Sequence, residues 1–202
     1  MKPSRLGAII IGFCSLISFS LNAASVDAGK AKSAICAGCH GQDGNSVNAV
    51  WPKLAGQHAS YLSKQLRNFK DGSREDAVMK GMVAALSDAD IADISAYFAS
   101  QAIKGGAFNA DLVALGENIY RGGITESSIP ACIGCHSPSG DGNGPASFPS
   151  LKSQHPEYIV MQLNKFKDGS RSNDSGKMMQ NVAKRMLESE MQAVAAYIAG
   201  LQ

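Results

Sequence analysis

The pentapeptide Cys36-Ala37-Gly38-Cys39-His40 is repeated farther along the chain as Cys132-Ile133-Gly134-Cys135-His136. Both have the form C-x-x-C-H, with two thiols three positions apart and a histidine directly after the second. This is the attachment signature of c-type haem, in which each thiol adds to a vinyl group and the imidazole binds the iron. We therefore predict two covalently bound haem c groups. The thioether cysteines are Cys36, Cys39, Cys132 and Cys135, and the proximal iron ligands are His40 and His136.

Other interpretations of the cysteines are open. A single C-x-x-C also occurs in zinc half-sites, in thioredoxin-like redox pairs and in disulfides. All four cysteines could surround one zinc ion, but zinc would leave the two histidines without a role. In an oxidising compartment the four could instead form two disulfides. The trailing histidine and the repetition of the whole pentad favour haem.

The first 24 residues have the composition of a secretory signal. Lys2 and Arg5 precede an apolar run at residues 6–17, and small residues follow. The run is short for a membrane span, which favours cleavage over a retained anchor. Cys14 would be removed with this segment. Because C-x-x-C-H haem is attached outside the bacterial cytoplasmic membrane, we expect a periplasmic protein.

Length and charge limit the function classes. The chain has 202 residues, with 19 Lys and Arg against 17 Asp and Glu. Lys2 and Arg5 belong to the signal, which leaves 17 residues of each sign. This balance lacks the basic stripe of a nucleic-acid-binding protein. The remaining length is sufficient for two small domains.

The chain contains an internal repeat beyond the two pentads. WPKLAGQH at residues 51–58 returns as FPSLKSQH at residues 148–155, and QLRNFKDGSR at residues 65–74 returns as QLNKFKDGSR at residues 162–171. Such self-similarity indicates a duplicated domain. The predicted division is a cleaved signal at residues 1–24, a first haem-binding domain at residues 25–103, a linker at residues 104–109 and a second haem-binding domain at residues 110–202.

The periodicity within each copy is helical. Asp27 is a candidate cap for the first helix, and Ser87 with Asp90 resembles a capping box ahead of the last helix of the first copy. Pro156 stands where a first-turn proline belongs. Glycine- and asparagine-rich loops separate these segments, without convincing strands. We predict an all-α fold.

The sixth iron ligand decides between a carrier and a catalyst. A thioether would close the last coordination position and raise the reduction potential, whereas an open position would admit a small molecule. Aligning the closing helices on Tyr97 and Tyr197 pairs Met79 with Met179, each expected in a loop before the last helix. We predict these methionines as the distal ligands, with Met178 as an alternative to Met179.

Two further repeated residues could affect the iron. His58 and His155 are rival distal ligands, but their place next to the Pro-x-Leu segment indicates a structural role. The proximal imidazole needs an acceptor for its second nitrogen. The backbone carbonyls of Pro52 and Pro149 are the expected acceptors.

C-x-x-C-H, then Pro-x-Leu, then a methionine before a closing helix resembles class I cytochrome c. Two such units in tandem resemble the dihaem cytochrome c4 family, and the resemblance covers essentially the whole of residues 25–202. It implies the axial pairs His40 with Met79 and His136 with Met179. It also implies two cytochrome folds related by an approximate two-fold axis, with haem propionates close to the domain interface.

The second copy departs from the first at two informative positions. Gly56 becomes Ser153, so the second proximal loop is expected to differ slightly. Gly81 becomes Asn181, which would have to accept any backbone angle that glycine allows. The two halves also lack the charge asymmetry associated with the family, which leaves docking polarity open.

Two six-coordinate haems imply an electron carrier and not an enzyme. The resemblance implies passage of electrons from a quinol-oxidising complex to a haem-copper terminal oxidase. We also expect a monomer, with peripheral membrane association left open. One alternative is the dihaem subunit of a flavin-containing dehydrogenase. A dihaem peroxidase is the other, but no additional acid or base groups near either motif indicate it.

Overall fold

The computed structural model describes residues 23–202, and the predicted signal with Cys14 lies almost entirely outside this range. The described residues form ten α-helices, five in each copy of the repeat. The first copy contains α1 (Val26–Lys32), α2 (Ala37–His40), α3 (Ala59–Asp71), α4 (Ala77–Val83) and α5 (Asp88–Ala99). The second contains α6 (Val113–Gly122), α7 (Ile133–His136), α8 (Pro156–Asp168), α9 (Met178–Ala183) and α10 (Glu188–Gly200). Short 3-10 turns lie at Ser33–Ile35, Ala110–Leu112 and Ser175–Lys177.

The prediction of an all-α fold is confirmed. Within residues 23–202 the only extended pairings are two isolated bridges, Ile124 with Ile129 and Asn143 with Phe148. No helix in this range is both long enough and apolar enough to span a bilayer.

The first and last helices of each copy cross at a glycine. α1 packs on α5 and α6 packs on α10. A Cβ atom on Gly29 would lie 2.0 Å from the carbonyl oxygen of Asp93, and one on Gly116 would lie 2.0 Å from that of Ala193. Only glycine lets the two backbones approach so closely, so both copies use the same crossing.

Most of the predicted helix signals hold. Ser87 and Asp90 form a capping box, and Pro156 is the first residue of α8. The prediction for Asp27 is wrong. The side chain of Ser25 accepts the hydrogen bond from the Ala28 N–H at 3.2 Å, which places Asp27 inside the first turn.

The expectation that both distal methionine candidates lie in loops is also wrong. Asp76 accepts a hydrogen bond from the Met79 N–H at 3.0 Å and starts α4, and Met179 lies within α9. Gly81 therefore has a helical backbone and makes no special turn. The expected conformational demand on Asn181 does not exist.

The substitution of Ser153 for Gly56 does have a backbone consequence. Gly56 has φ of 68° and Ser153 has φ of 55°, so the serine keeps the left-handed conformation that glycine prefers. Its Oγ donates a hydrogen bond to the Leu201 carbonyl at 2.8 Å, which stabilises this position locally. The two proximal loops thus keep one shape despite the change.

Candidate haem sites

The two C-x-x-C-H motifs form the short helices α2 and α7. The carbonyl of Cys36 accepts a hydrogen bond from the His40 N–H at 2.9 Å, and Cys132 with His136 makes the same bond at 2.9 Å. Residues at positions i, i+3 and i+4 of a helical turn share one face. Each turn therefore presents two thiols and one imidazole to the same side.

The competing interpretations of the cysteines find no support in residues 23–202. The four cysteines form no disulfide, and no three histidine, cysteine or acidic side chains of this range converge as a metal cluster. Burial raises the pKa of the Cys36 and Cys132 thiols to about 11.

Both proximal histidines are buried and oriented by a proline carbonyl. His40 and His136 are each 7% exposed. The Nδ1 of His40 lies 2.9 Å from the Pro52 carbonyl oxygen, and that of His136 lies 3.0 Å from the Pro149 oxygen. A carbonyl only accepts, so Nδ1 carries the proton, and burial lowers the pKa of each ring and keeps it neutral. The prediction of these two acceptors is confirmed, and each Nε2 keeps its lone pair for a metal.

One continuous cavity of about 900 Å³ connects the two copies. That volume lies near the upper end of the range for a single ligand pocket. The cavity lining includes both C-x-x-C-H motifs and apolar side chains such as Leu62, Phe69, Ile159 and Phe166. The structure therefore brings the predicted thiols and imidazoles of both halves to a shared, largely apolar space.

The predicted distal methionines also line this cavity. Met79 and Met179 are half-buried, and Met179 packs against the hydrophobic core of the second half. Met178 lines the cavity too but is 41% exposed. The packing therefore favours Met179 over Met178.

The rival histidines lie outside the cavity lining and join the two copies instead. The Nε2 of His58 lies 2.7 Å from the Asp141 carbonyl oxygen, and the Nε2 of His155 lies 3.0 Å from that of Ser46. Each ring therefore bonds to the backbone of the opposite copy, as expected for a structural role.

Sequence reasoning missed a buried polar cluster at the centre of the interface. Arg74 donates hydrogen bonds to the Tyr158 hydroxyl at 3.1 Å and to Gln162 Oε1 at 3.0 Å. Its counterpart Arg171 donates to the Tyr61 hydroxyl at 2.8 Å. Both arginines end the repeated KDGSR segment, and this repetition was the signal that could have identified them.

The cluster has the chemistry to bind carboxylates. Arg74 and Arg171 line the cavity, and neither forms an ion pair with an acidic side chain of residues 23–202. Arg171 is 6% exposed, and the Nε2 of Gln65 is a buried donor without an acceptor. Buried charges and donors require partners. The propionates of two haems are carboxylates that these groups could hold, so the cavity fits haem c.

Comparisons with known proteins agree with this geometry. The family model for cytochrome c matches residues 26–102 and again residues 113–202. Cytochrome c4 of Pseudomonas aeruginosa is 49% identical over 175 residues, 86% of this chain and 87% of that protein. The crystal structure of reduced recombinant cytochrome c4 from Pseudomonas stutzeri matches with a TM-score of 0.86 at 43% identity, over 89% of this chain and all of that one. The thiosulfate dehydrogenase electron acceptor of Thiomonas intermedia is 40% identical over 184 residues, 87% of this chain and 82% of that protein.

The tandem helical fold with a duplicated haem-attachment motif defines a dihaem c-type cytochrome, a protein that transfers electrons and is not an enzyme. It carries two covalently bound haem c groups. The chain belongs to the cytochrome c4 family.

Proposed function

We propose that this cytochrome carries electrons between membrane-bound respiratory complexes through two closed haem sites. In this proposal the first haem is attached to Cys36 and Cys39 and has His40 and Met79 as axial ligands. The second haem is attached to Cys132 and Cys135 and has His136 and Met179 as ligands. The domains extend over residues 25–103 and 110–202, with a linker at residues 104–109 and a cleaved signal at residues 1–24.

The observation that carries the proposal is the convergence of the donor set. Each half places two thiols, a neutral imidazole with a fixed Nδ1 and a thioether in the lining of one cavity. Haem c supplies an iron that changes between the ferric and ferrous states. The imidazole and the thioether would both hold this iron, so no ligand would have to exchange during electron transfer.

We assign the protein to the periplasm, as a monomer. The basic and apolar pattern of residues 1–24 and the covalent haem motif support this location. The donor would be a quinol-oxidising complex and the acceptor a haem-copper terminal oxidase.

An exposed apolar patch around the first half of the cavity supports contact with redox partners. Val50 and Val78 are 51% and 67% exposed, and Trp51 and Met82 are 39% and 38% exposed; all four line the cavity. A small apolar contact of this kind is typical of transient redox encounters. We propose this patch as the place where partners approach the first haem.

Oxygen uptake tests the proposed acceptor. The reduced protein is mixed with membranes that contain a haem-copper oxidase, and cyanide-sensitive oxygen consumption is followed. Uptake that saturates with cytochrome concentration is expected. Failure to drive uptake, while a known small cytochrome c drives it in the same membranes, would exclude this acceptor.

A second candidate function has a specific observation in its favour. The Thiomonas relative is a thiosulfate dehydrogenase electron acceptor and covers most of this chain. Mixing the oxidised protein with thiosulfate and a thiosulfate dehydrogenase tests this role, and rapid reduction of both haems would support it.

The interpretation as a dihaem subunit of a flavin-containing dehydrogenase requires stable copurification with a flavoprotein. Because relatives of this family transfer electrons and are not enzymes, the peroxidase alternative is not retained.

A further inference from the structure

Two glutamines reach across the interface to the backbone beside the proximal prolines. Gln154 of the second half accepts a hydrogen bond from the Lys53 N–H at 2.9 Å and donates one to the Lys53 carbonyl at 2.9 Å. Gln57 of the first half makes the same two bonds with Ser150, both at 2.9 Å. The glutamines occupy matching positions of the repeat, and so do Lys53 and Ser150.

The first of these bonds lies on the peptide unit that orients the opposite histidine. The Pro52 carbonyl and the Lys53 N–H belong to one planar peptide group, whose two ends are electronically coupled. The carbonyl end accepts from His40 Nδ1 at 2.9 Å, and the N–H end donates to Gln154 Oε1. A hydrogen-bond chain therefore runs from Gln154 through one peptide plane to the proximal imidazole.

The second half repeats this chain in the reverse direction. His136 Nδ1 lies 3.0 Å from the Pro149 oxygen, and the N–H of the same peptide plane, that of Ser150, donates to Gln57 Oε1. Each histidine is thus supported by a side chain of the other half.

We propose that Gln154 sets the reduction potential of the first haem and Gln57 that of the second, each through this peptide plane. The proposal rests on the axial roles proposed above for His40 and His136. The two glutamines are positioning residues, because each acts on the iron through a backbone group and a histidine.

The physical reason is polarisation of consecutive hydrogen bonds. Both glutamines are 8% exposed, so these bonds lie in a low-dielectric environment where neighbouring bonds strengthen one another. When the glutamine oxygen accepts a hydrogen bond from the peptide N–H, the carbonyl of the same peptide becomes a stronger acceptor. The histidine that donates to this carbonyl then becomes a stronger electron donor to iron. A stronger donor favours the ferric state. Each glutamine is therefore expected to lower the potential of the haem in the opposite half.

The test measures both potentials in Gln154→Ala and Gln57→Ala. A redox titration followed by proton NMR resolves the two haems and the Nδ1 proton of each proximal imidazole. Gln154→Ala is expected to raise the potential of the first haem by about a three-fold change in its equilibrium constant, or ~30 mV at ~59 mV per tenfold change. The second haem should stay within error. Gln57→Ala should produce the mirror image.

The matched control is Ser60→Ala. Ser60 Oγ donates to the Gly144 carbonyl at 2.7 Å across the same interface, without touching either proximal peptide plane. It should leave both potentials unchanged. If all three variants move both potentials together, the glutamines only hold the interface and the proposal is wrong. It is equally wrong if each glutamine variant shifts the haem of its own half.

A variant that should shift the potential in the opposite direction keeps the test decisive if the alanine variants unfold. Gln154→Glu retains an acceptor oxygen and adds negative charge, so it should lower the potential of the first haem. A rise in that potential would contradict the proposal. Failure of the underlying ligand assignment is detected separately, because the unaltered protein would then lack the spectrum of His/Met-ligated haem.

Discussion

At matching positions of the two proximal loops the first half has Lys53 and the second has Ser150. Lys53 is 5% exposed, and its ammonium donates to the Ser153 carbonyl of the other half at 2.9 Å. Ser150 brings no charge to the corresponding place. Burial lowers the pKa of Lys53 because the charged form loses its hydration. The two otherwise similar proximal loops therefore differ by one buried charge, that of Lys53. We expect this charge to make the reduction potentials of the two haems different.

The halves also differ in their hydrophobic cores. Within residues 23–202, 16 hydrophobic residues of the second half are buried, including Tyr120, Met191 and Ile198, whereas eight of the first half are. Small domains depend more on added apolar groups for stability. The first half should therefore depend more strongly on its haem.

Removal of the distal ligand is expected to have the largest effect. Met79→Ala should lower the potential of the first haem by a few tenths of a volt, within the ~0.8 V range that axial ligands span, and Met179→Ala should do so for the second. Potentiometry and carbon monoxide binding check this, and each change should stay in its own half. Met178→Ala is the control, and a large effect there would move the assignment to Met178.

Alanine at the helix crossings comes next in size. Gly29→Ala and Gly116→Ala place a methyl group against backbone, at an expected cost of about 3 kcal/mol. Thermal unfolding followed by haem absorbance should show a lower unfolding midpoint in both variants. The change in haem absorbance should be larger for Gly29→Ala, because the first half has the smaller hydrophobic core. Gly122→Ala, whose Cβ would meet nothing within 4 Å, serves as the control. Equal midpoints for all three variants would contradict the close crossings.

Lys53→Ser makes the first loop resemble the second. Loss of a cation favours the ferric state, so the potential of the first haem should fall, by roughly 40 mV for an interaction of about 1 kcal/mol. The unaltered protein should show the same fall as the pH rises through the lowered pKa of Lys53, because deprotonation removes the charge. The variant should lack this step. A first-haem potential that is insensitive to both changes would show that Lys53 does not separate the two haems.

The smallest expected effect is a change in stability at two helical positions, each two residues after a predicted methionine ligand. Gly81→Ala should stabilise the protein by about 1 kcal/mol, since alanine is the better helix former and its Cβ would meet nothing within 4 Å. Asn181→Ala should stabilise the protein by about half of that free energy. Chemical denaturation measures both. Destabilisation by Gly81→Ala would indicate that the glycine has a special backbone role after all.

Signals local in sequence predicted much of this molecule. The pentads, the repeated segments and the proline carbonyls depend on neighbouring residues or on direct comparison of the copies. The Asp27 cap failed because Ser25, two positions earlier, offers an equally good acceptor. The loop expected around Met79 failed because Asp76 starts a helix there.

The interface could not be predicted because it depends on how the copies face each other. Nothing near Arg74 in the sequence indicates Tyr158, and nothing near Gln154 indicates Lys53. Only the approximate two-fold packing brings these side chains together. The cross-domain chains to His40 and His136 follow from that packing alone.

The optical spectrum of the reduced protein before and after addition of carbon monoxide tests the central claim most directly. Two haems closed by Met79 and Met179 should give a spectrum that carbon monoxide leaves unchanged. A shift in either haem would show an open or weakly held position. The methionine assignment for that half would then be wrong, and the carrier with two closed sites would be contradicted.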